Sequence, residues 1–323
     1  MARSENQKLK LLYLIDLLQE ETDENHTLSM QEIIERLGAS GIKAERKALY
    51  DDISLLCAYG IYIDKTPDHR YYISERRYEL AELKTLVDII QSSQFLTTKK
   101  SRELTKKLYR ETSRFGAAEL DRQVHTSFAK VKSEKIFYTV DAIHAAVRDD
   151  KKIEFSYFRY NEDKELVERH KGKRYAVSPI ALVFDNENYY LVAFNETEKE
   201  IRHYRVDRMQ KVTVLDEARS GEEVYGKFDI SRYESKTFGM FGGNEALVTL
   251  NCKNEAAGAI IDRFGDEPTF IKHQDGTFDV TVRVFVSEQF FGWVTGIGKL
   301  IKIKSPDDVA ERYKNYLREL IEI

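Results

Sequence analysis

The chain has 323 residues, 42% of them hydrophobic and 33% charged, which predicts about two or three globular domains with buried cores. With 4 Pro, 16 Gly and no run of about 18 apolar residues, the sequence excludes the collagen-like, low-complexity and membrane-spanning classes. Cys57 and Cys252 lie far apart and predict neither a disulfide framework nor a zinc site. We therefore expect a soluble cytoplasmic protein.

The distribution of charge is more informative than its total. The formal net charge is −4, which by itself does not favour nucleic-acid binding. Residues 1–75 hold nine Lys or Arg and fourteen Asp or Glu, a net charge of −5, whereas residues 95–135 hold eleven and five, a net charge of +6. Nucleic-acid binding by the N-terminal region would therefore depend on local basic patches.

Three helices are predicted in the first 75 residues. Apolar residues at helical spacing indicate the first helix. Ser29 and Glu32 form a capping-box pair that opens the second helix, and Gly38 is predicted to end it. The third helix is predicted to start near Lys43 and to end at Gly60.

Residues 61–63 and 71–73 flank a polar loop and predict a β-hairpin. Three helices followed by a hairpin is the order of a winged helix-turn-helix, whose third helix enters the major groove of DNA. The candidate DNA-binding residues lie on the third helix and at the hairpin tip: Lys43, Arg46, Lys47, Tyr50, His69 and Arg70. The alternative is a structural helical domain with solvated basic residues, which Glu45, Asp51 and Asp52 favour.

The middle of the chain changes from helical to strand-like patterns. Residues 78–115 are predicted to be helical, and the basic run from 99 to 114 indicates either a solvated helix face or a linker helix near DNA phosphate. Five β-prone runs follow and predict a small antiparallel barrel or sheet. They are residues 153–157, 175–183, 189–194, 201–206 and 211–215.

These strands carry motifs of a known family. Tyr189-Tyr190-Leu191 resembles the signature Trp-Tyr-Leu of the WYL domain, with Tyr189 in place of Trp. The segment Arg-His-Tyr-Arg-Val-Asp-Arg at 202–208 resembles that domain's Arg-x-Phe-Arg-Leu-Asp-Arg. The likeness covers about residues 140–216. It implies a small Sm/SH3-like β-barrel that senses nucleic acids or nucleotides in a bacterial transcriptional regulator.

The resemblance extends in both directions. Residues 45–53 are similar to the recognition-helix segment of the winged-helix domain that precedes WYL domains, except that Asp51 replaces an Arg that would contact phosphate. Beyond residue 245 the predicted order β-α-β-β-α-β indicates a ferredoxin-like domain, followed by a helix starting at Ser305-Pro306-Asp307-Asp308. Together with Phe291-Gly292-Trp293, this region resembles the WCX extension, which implies dimerisation and completion of the ligand site.

The candidate effector-binding residues are those that could form a pocket with aromatic walls and cationic heads. They are Ser156, Tyr157, Tyr189, His203, Arg205 and Arg208. Arg binds phosphate bidentately and aromatic rings stack on bases, so an anionic effector is expected: a nucleotide, a cyclic dinucleotide or a single-stranded nucleic acid. The alternative is a strand whose arginines pair with Asp207 or Glu154 and whose tyrosines are core residues. Tyr189 and Tyr190 face opposite ways, so only one of them belongs in such a pocket.

The sequence thus predicts an α+β multidomain protein. Its predicted parts are a winged helix-turn-helix (1–75), a helical linker (76–138), a WYL barrel (139–220), a Gly-containing connector (221–244) and a WCX-like domain (245–323). We expect a homodimer that binds double-stranded operator DNA and responds to the effector, with no cofactor, metal or membrane partner and no enzymatic activity. The alternative function is a nucleic-acid-binding accessory protein of repair or phage defence, with the barrel as its main binding site.

Overall fold

A computed structural model describes residues 9–121, 130–131, 133–226, 233, 236–240 and 242–322, except for the side chains of 170 and 171. The chain divides into two compact units, Met1–Glu134 and Lys135–Ile323. Both combine helices with antiparallel sheet, as the predicted α+β class requires. Within the described ranges no helix is both long and apolar enough to cross a bilayer.

The first unit begins with a three-helix, three-strand arrangement. Its elements are α1 (Lys10–Glu21), β1 (Leu28–Ser29), α2 (Met30–Ala39), α3 (Arg46–Tyr59), β2 (Ile63–Lys65) and β3 (Arg70–Ile73). The strands pair antiparallel in the order β1-β3-β2. The sequence did not predict β1, because two residues are too few to show an alternating pattern.

Helix α2 starts as predicted and ends later. The Ser29 side chain accepts from the Glu32 amide while the Glu32 carboxylate accepts from the Ser29 amide, which confirms the capping box. The helix continues through Gly38, so the prediction that Gly38 ends it is wrong. The glycine with a left-handed backbone is Gly41, with φ of 78°, and not Gly38. The reason is that the chain turns only after the helix has ended at Ala39.

Helix α3 is shorter at its start than predicted. Glu45 has an extended backbone conformation, so the helix begins at Arg46 and Lys43 lies before it in the connecting turn. The predicted end is confirmed, because Gly60 adopts a left-handed conformation with φ of 103°. Leu49, Ile53 and Leu56 face the core of this part.

The predicted helical linker consists of several pieces. They are α4 (Leu80–Ser92), α5 (Thr98–Leu108), a 3-10 turn (Tyr109–Glu111) and α6 (Arg114–Leu120). Helix α6 is held against the turn after α1, since Ser113 Oγ donates to Asp23 Oδ2 at 2.6 Å and the Phe115 ring stacks on His26 at 3.5 Å. These helices therefore belong to the same compact unit as the helix-turn-helix part.

The second unit begins with a helix that the sequence analysis missed. Helix α7 (Lys135–Arg148) buries Ile136, Ile143 and Ala146 and contacts strands of the following sheet. The strands are β4 (Lys151–Tyr160), β5 (Leu166–Glu168), β6 (Arg174–Asp185), β7 (Asn188–Asn195), β8 (Glu200–Arg205) and β9 (Met209–Ala218). The five predicted strands are all present, and β5 is an additional short one.

All neighbouring strands in this sheet are antiparallel. The order is β5-β4-β6-β7-β8, and β9 returns to pair with the free edge of β4. A 3-10 turn, Val206–Arg208, joins β8 to β9. Because β9 pairs with β4, the first and last strands of this part lie side by side in one small sheet. Four aromatic rings pack together within it: Phe155, Tyr157, Tyr175 and Tyr204.

The C-terminal part follows the predicted order of elements. A short helix α8 (Glu222–Tyr225) precedes β10 (Asn244–Lys253), α9 (Ala257–Phe264), β11 (Phe270–Lys272), β12 (Thr277–Val286), α10 (Glu288–Ile297), β13 (Ile301–Ser305) and α11 (Asp307–Ile321). The antiparallel strand order is β11-β12-β10-β13. The last helix begins at Asp307 rather than earlier, because Pro306 has the extended conformation of a capping residue.

The described part of the predicted connector joins the two sheets of this unit. Phe238 is buried in the C-terminal core, and Met240 packs with Val183 and Val192 of the WYL-like sheet. Arg263 donates to the Thr237 carbonyl and lies over the Phe238 ring at 4.2 Å. Residues 1–8, 122–129, 132, 227–232, 234–235, 241 and 323 of the predicted domains lie outside the described residues.

The aromatic cluster inside the first sheet yields a stability prediction. Phe155 is fully buried and its ring contacts those of Tyr157, Tyr175 and Tyr204, with centroids 5.1–6.3 Å apart. We expect Phe155→Ala to lower the free energy of unfolding by about 3–5 kcal/mol in urea titrations, because a cavity replaces the ring. Tyr138→Ala, at a side chain that is 78% exposed, serves as control and should change it by less than about 0.5 kcal/mol. If the two variants lost the same free energy of unfolding, the assignment of Phe155 to this core would be contradicted.

Candidate nucleic-acid interface and effector site

The N-terminal half of α3 exposes a basic and aromatic face. Arg46, Lys47 and Tyr50 are all exposed, as their spacing on the helix predicts. The Arg46 Nε donates to the Tyr50 hydroxyl at 3.1 Å, and this hydrogen bond lowers the Tyr50 pKa. The pair therefore presents a guanidinium and a phenol together, a combination that can reach phosphates or base edges.

The two predicted residues of the hairpin have different environments. His69 is exposed in the turn and has a positive φ of 66°. Arg70 donates from Nε to Thr27 Oγ1 at 2.9 Å and from Nη2 to the Thr27 carbonyl at 2.7 Å, and it pairs with Glu32 at 2.9 Å. Because these partners occupy its guanidinium, Arg70 fastens the hairpin to the start of α2, whereas the sequence interpretation placed it at a DNA-facing tip.

Lys65 was missed by the sequence analysis. It is exposed on β2, with its Nζ 5.7 Å from the centre of the Tyr71 ring, and its charge acts on the Tyr50 hydroxyl. Strand alternation puts Lys65 on the same face as buried Ile63, so the sequence pattern gave no sign that its side chain would be exposed. In the structure the strand ends there and the side chain reaches solvent beside α3.

Four acidic residues share these elements with the basic ones. Glu45, Asp51, Asp64 and Asp68 are exposed. Asp52 differs, because it pairs with Lys10 at 2.5 Å and helps to hold α3 against α1. The face is therefore mixed in charge, and long-range attraction contributes little to DNA binding by this part alone.

In the second unit, three residues of the candidate effector site and Tyr190 come together around the turn after β8. The Tyr157 hydroxyl accepts from the Arg205 amide at 3.0 Å, and Tyr190 lies directly opposite Arg205 in the β7–β8 register. The charges of Arg205 and Arg208 act on both tyrosines, whose pKa values are raised by burial. Tyr157, Arg205 and Arg208 thus lie near one another beside Tyr190, although the Tyr157 ring is buried in the aromatic core, as the alternative interpretation expects of the tyrosines.

Arg205 is internally neutralised. Its Nε and Nη2 donate to the two carboxylate oxygens of Asp207 at 3.1 and 2.9 Å, and Nη2 also donates to Asn188 Oδ1 at 2.7 Å. A bidentate pair of this kind uses the donors that would otherwise bind phosphate. The alternative interpretation, in which this arginine pairs with Asp207, describes its side chain correctly.

Arg208, unlike Arg205, has no partner among the described residues. Its Nε is buried, and its guanidinium makes no hydrogen bond or ion pair with any residue that the structure describes. An unsatisfied buried donor costs about 1–3 kcal/mol, which an anion bound there would offset. Among the predicted residues, Arg208 is therefore the one placed to bind an anionic group.

The remaining predicted effector residues lie elsewhere. Tyr189 faces away from Arg205 and packs on Phe184, with ring centres 4.9 Å apart, because adjacent residues of a strand point to opposite faces. Ser156 is buried on the opposite face of β4 from Tyr157 for the same reason. His203 contacts Tyr233 at 5.4 Å between ring centres.

Two families match this chain. Residues 138–214 match the WYL domain, and residues 245–321 match the WCX domain. The chain is a WYL and WCX domain protein. Both ranges coincide with the motifs found in the sequence, and the WYL domain supports placement among the DNA-binding transcriptional regulators.

Solved structures give more distant likenesses. Proteasome accessory factor B/C (PafBC) of Arthrobacter aurescens is 22% identical, with 96% of this chain and 47% of that chain covered and a TM-score of 0.29. A CRISPR Cas-related protein is 14% identical, with 75% and 69% covered and a TM-score of 0.26. The chain spans about half the length of the first of these proteins. Among curated proteins none matches the chain.

His203 predicts a pH dependence of stability. Burial lowers its pKa to about 4, and its Nε2 is buried without a hydrogen-bond partner in the described part of the chain. The unfolded chain takes up a proton near pH 6.5 and the folded one near pH 4, so acidification between these values favours unfolding by up to about 3 kcal/mol.

The measurement is the free energy of unfolding from pH 7.5 to 4 for the wild type and for His203→Gln. We expect the variant to lose less stability than the wild type between pH 6.5 and 4, with the difference levelling off below pH 4. Parallel curves for the two proteins would show that His203 titrates normally in the folded state.

Proposed function

We propose that this protein is a ligand-responsive transcriptional regulator. In this proposal the winged helix-turn-helix binds double-stranded operator DNA and the WYL domain binds an anionic effector. The observation that supports it most directly is the presence, in one chain, of an exposed Arg46–Tyr50 pair on α3 and an unpartnered Arg208 in a WYL domain. The first suits DNA contacts and the second suits a phosphate.

The effector in this proposal is a nucleotide, a cyclic dinucleotide or a short single-stranded nucleic acid. Arg208 supplies a planar donor for one phosphate, while Tyr190 supplies a half-buried ring and a hydroxyl beside it. Arg205 acts indirectly, since its pairing with Asp207 holds the turn that carries Arg208.

A cytoplasmic homodimer completes the proposal. Operators are commonly read by two-fold symmetric proteins whose half-sites are a helical turn apart. The WYL sheet acts as an Sm/SH3-like sensor barrel, and the C-terminal part acts as a ferredoxin-like dimerisation domain. No enzymatic step and no cofactor is part of this mechanism.

A second candidate function is a nucleic-acid-binding accessory protein without transcriptional output. The net charge of −5 over residues 1–75 and the exposed carboxylates on α3 and the hairpin favour it. In that case the WYL domain would be the main binding site for single strands, and the N-terminal part would contact a protein.

A binding titration distinguishes the two functions. The purified chain is titrated against duplex DNA flanking its own gene and against a scrambled duplex, with and without short single-stranded DNA or cyclic dinucleotides. Preference for the flanking duplex that an effector alters supports the regulator. Tight binding of single strands without any duplex preference supports the accessory protein.

Arg46→Ala is the test of the DNA-reading helix. We expect roughly 10-fold weaker binding to the preferred duplex at fixed salt, because a side chain that contacts phosphate or base edges is lost. Lys299→Ala, at an exposed lysine of the C-terminal part, is the control and should bind like the wild type. An unchanged affinity of Arg46→Ala would remove this residue from the interface.

Arg208→Ala and Arg205→Ala together test the effector site. We expect Arg208→Ala to abolish the effector response without lowering thermal stability or basal DNA binding, because its guanidinium has no partner in the described fold and its removal relieves an unsatisfied buried donor. Arg205→Ala should lower the melting temperature, because Asp207 loses its half-buried partner. A full effector response in Arg208→Ala would exclude Arg208 from the site.

A further inference from the structure

Helix α5 presents a basic face to solvent. Ser101 and Thr105 are buried on one side of the helix. The opposite side and the turn that follows carry exposed basic residues at helical spacing: Lys99, Arg102, Lys106, Lys107 and Arg110. We call these five residues the α5 basic face.

Most of this charge is not neutralised within the protein. Glu103 is the one acidic residue of α5, and it approaches Lys99 at 3.9 Å and Lys100 at 3.6 Å. The other cations, Arg102, Lys106, Lys107 and Arg110, have no ion pair or hydrogen bond with the residues that the structure describes. Four adjacent like charges repel one another, so the face is suited to an external polyanion.

Helix stability does not explain the charges at the start of α5. The first turn contains Lys99 and Lys100 and no acidic residue, although the N-terminal end of a helix carries a partial positive charge. The helix is capped instead by Thr97, whose hydroxyl accepts from the Lys100 amide at 3.0 Å. Lys106 and Lys107 complement the other end of the helix, but the early cations oppose the dipole.

We propose that the α5 basic face binds the phosphate backbone of duplex DNA without reading its sequence. The inference rests on the proposed regulator function and adds a second DNA contact to it. An eleven-residue helix is about 16 Å long, over which a duplex presents about ten phosphate charges. Four or five cations along this length can each neutralise one phosphate.

The composition of the face favours duplex backbone over other polyanions. Helix α5 has no large apolar or aromatic side chain exposed. A helix that binds a membrane surface needs such apolar residues beside its basic ones, and binding of single strands uses aromatic rings for stacking. A surface of cations alone fits the outside of a double helix.

The α5 basic face and the C-terminal end of α3 border one cleft of the first unit. Arg110 lines the same cleft as Gly60 and Tyr62, which directly follow α3. The acidic excess of residues 1–75 leaves the DNA-reading part short of positive charge, and the net charge of +6 over residues 95–135 offsets it. The α5 basic face thus supplies the sequence-independent attraction, while α3 supplies the specific contacts.

The test is a variant in which Arg102, Lys106, Lys107 and Arg110 are all replaced by Gln. Its control replaces four exposed lysines of the C-terminal part by Gln, which removes the same charge: Lys253, Lys272, Lys299 and Lys302. Affinity for the flanking and the scrambled duplex is measured from 50 to 300 mM salt. Circular dichroism and thermal unfolding check that both variants are folded.

We expect the α5 variant to bind both duplexes at least 10-fold more weakly at low salt. In the α5 variant, the plot of log K against log salt should be less steep by about 2–4, since each lost phosphate contact contributes about −0.9 to its slope. The ratio of the two affinities should stay as in the wild type, and the control variant should keep the wild-type slope.

The outcomes separate this inference from the function on which it rests. A wild-type slope in the folded α5 variant overturns the inference while the regulator function stands. A wild type without preference for either duplex, combined with a reduced slope in the variant, overturns the regulator function and keeps the α5 contact. Both proteins are also tested for binding to anionic lipid vesicles. If the α5 variant loses vesicle binding while its duplex binding equals that of the wild type, the inference is overturned.

Discussion

The ion pair between Arg205 and Asp207 determines which cation of the WYL domain keeps its charge available. Asp207 lies in the 3-10 turn that joins β8 to β9, and its two carboxylate oxygens accept from Arg205. The pair fixes the turn and consumes one of the two positive charges that the motif places there. Arg208, at the end of the same turn, keeps its charge available because no second carboxylate faces it in the described fold.

The same site lies close to the C-terminal part of its unit. Tyr190 stands opposite Arg205 and packs against the cluster of Met240, Val183 and Val192. Two residues before Met240, Phe238 is buried in the C-terminal core. One layer of side chains and a short connector therefore separate Arg205 from the C-terminal core, and in the proposed regulator this contact would couple effector binding to that core.

In the proposed regulator, the first unit would contact DNA through two surfaces. Helix α3 and the hairpin combine Arg46, Tyr50 and Lys65 with exposed carboxylates, a mixture suited to discrimination more than to attraction. The α5 basic face has the opposite character, because four of its five cations have no ion pair with the described residues and it lacks aromatic rings. In this proposal, a basic backbone contact beside a reading surface of mixed charge would let a chain with a net charge of −4 bind DNA.

The sequence by itself determined the secondary structure, the two domain families and the residue types at both sites. Periodicity, the capping box at Ser29 and the left-handed Gly60 depend on neighbours a few residues away, so they can be read directly from the chain. The exceptions include β1 and β5, too short to show a period, and α7, whose apolar spacing stood beside stronger strand patterns.

Only the tertiary structure decided which side chains are available. Arg70 is occupied by Thr27, 43 positions away in the chain, and strand register sets Tyr190 rather than Tyr189 beside Arg205. Arg205 and Arg208 look equivalent in the motif, but Asp207 neutralises the first and Asn188 hydrogen-bonds to it, whereas the second has no partner among the described residues. Charge pairing and burial depend on residues that folding brings together, and for that reason local sequence patterns could not assign them.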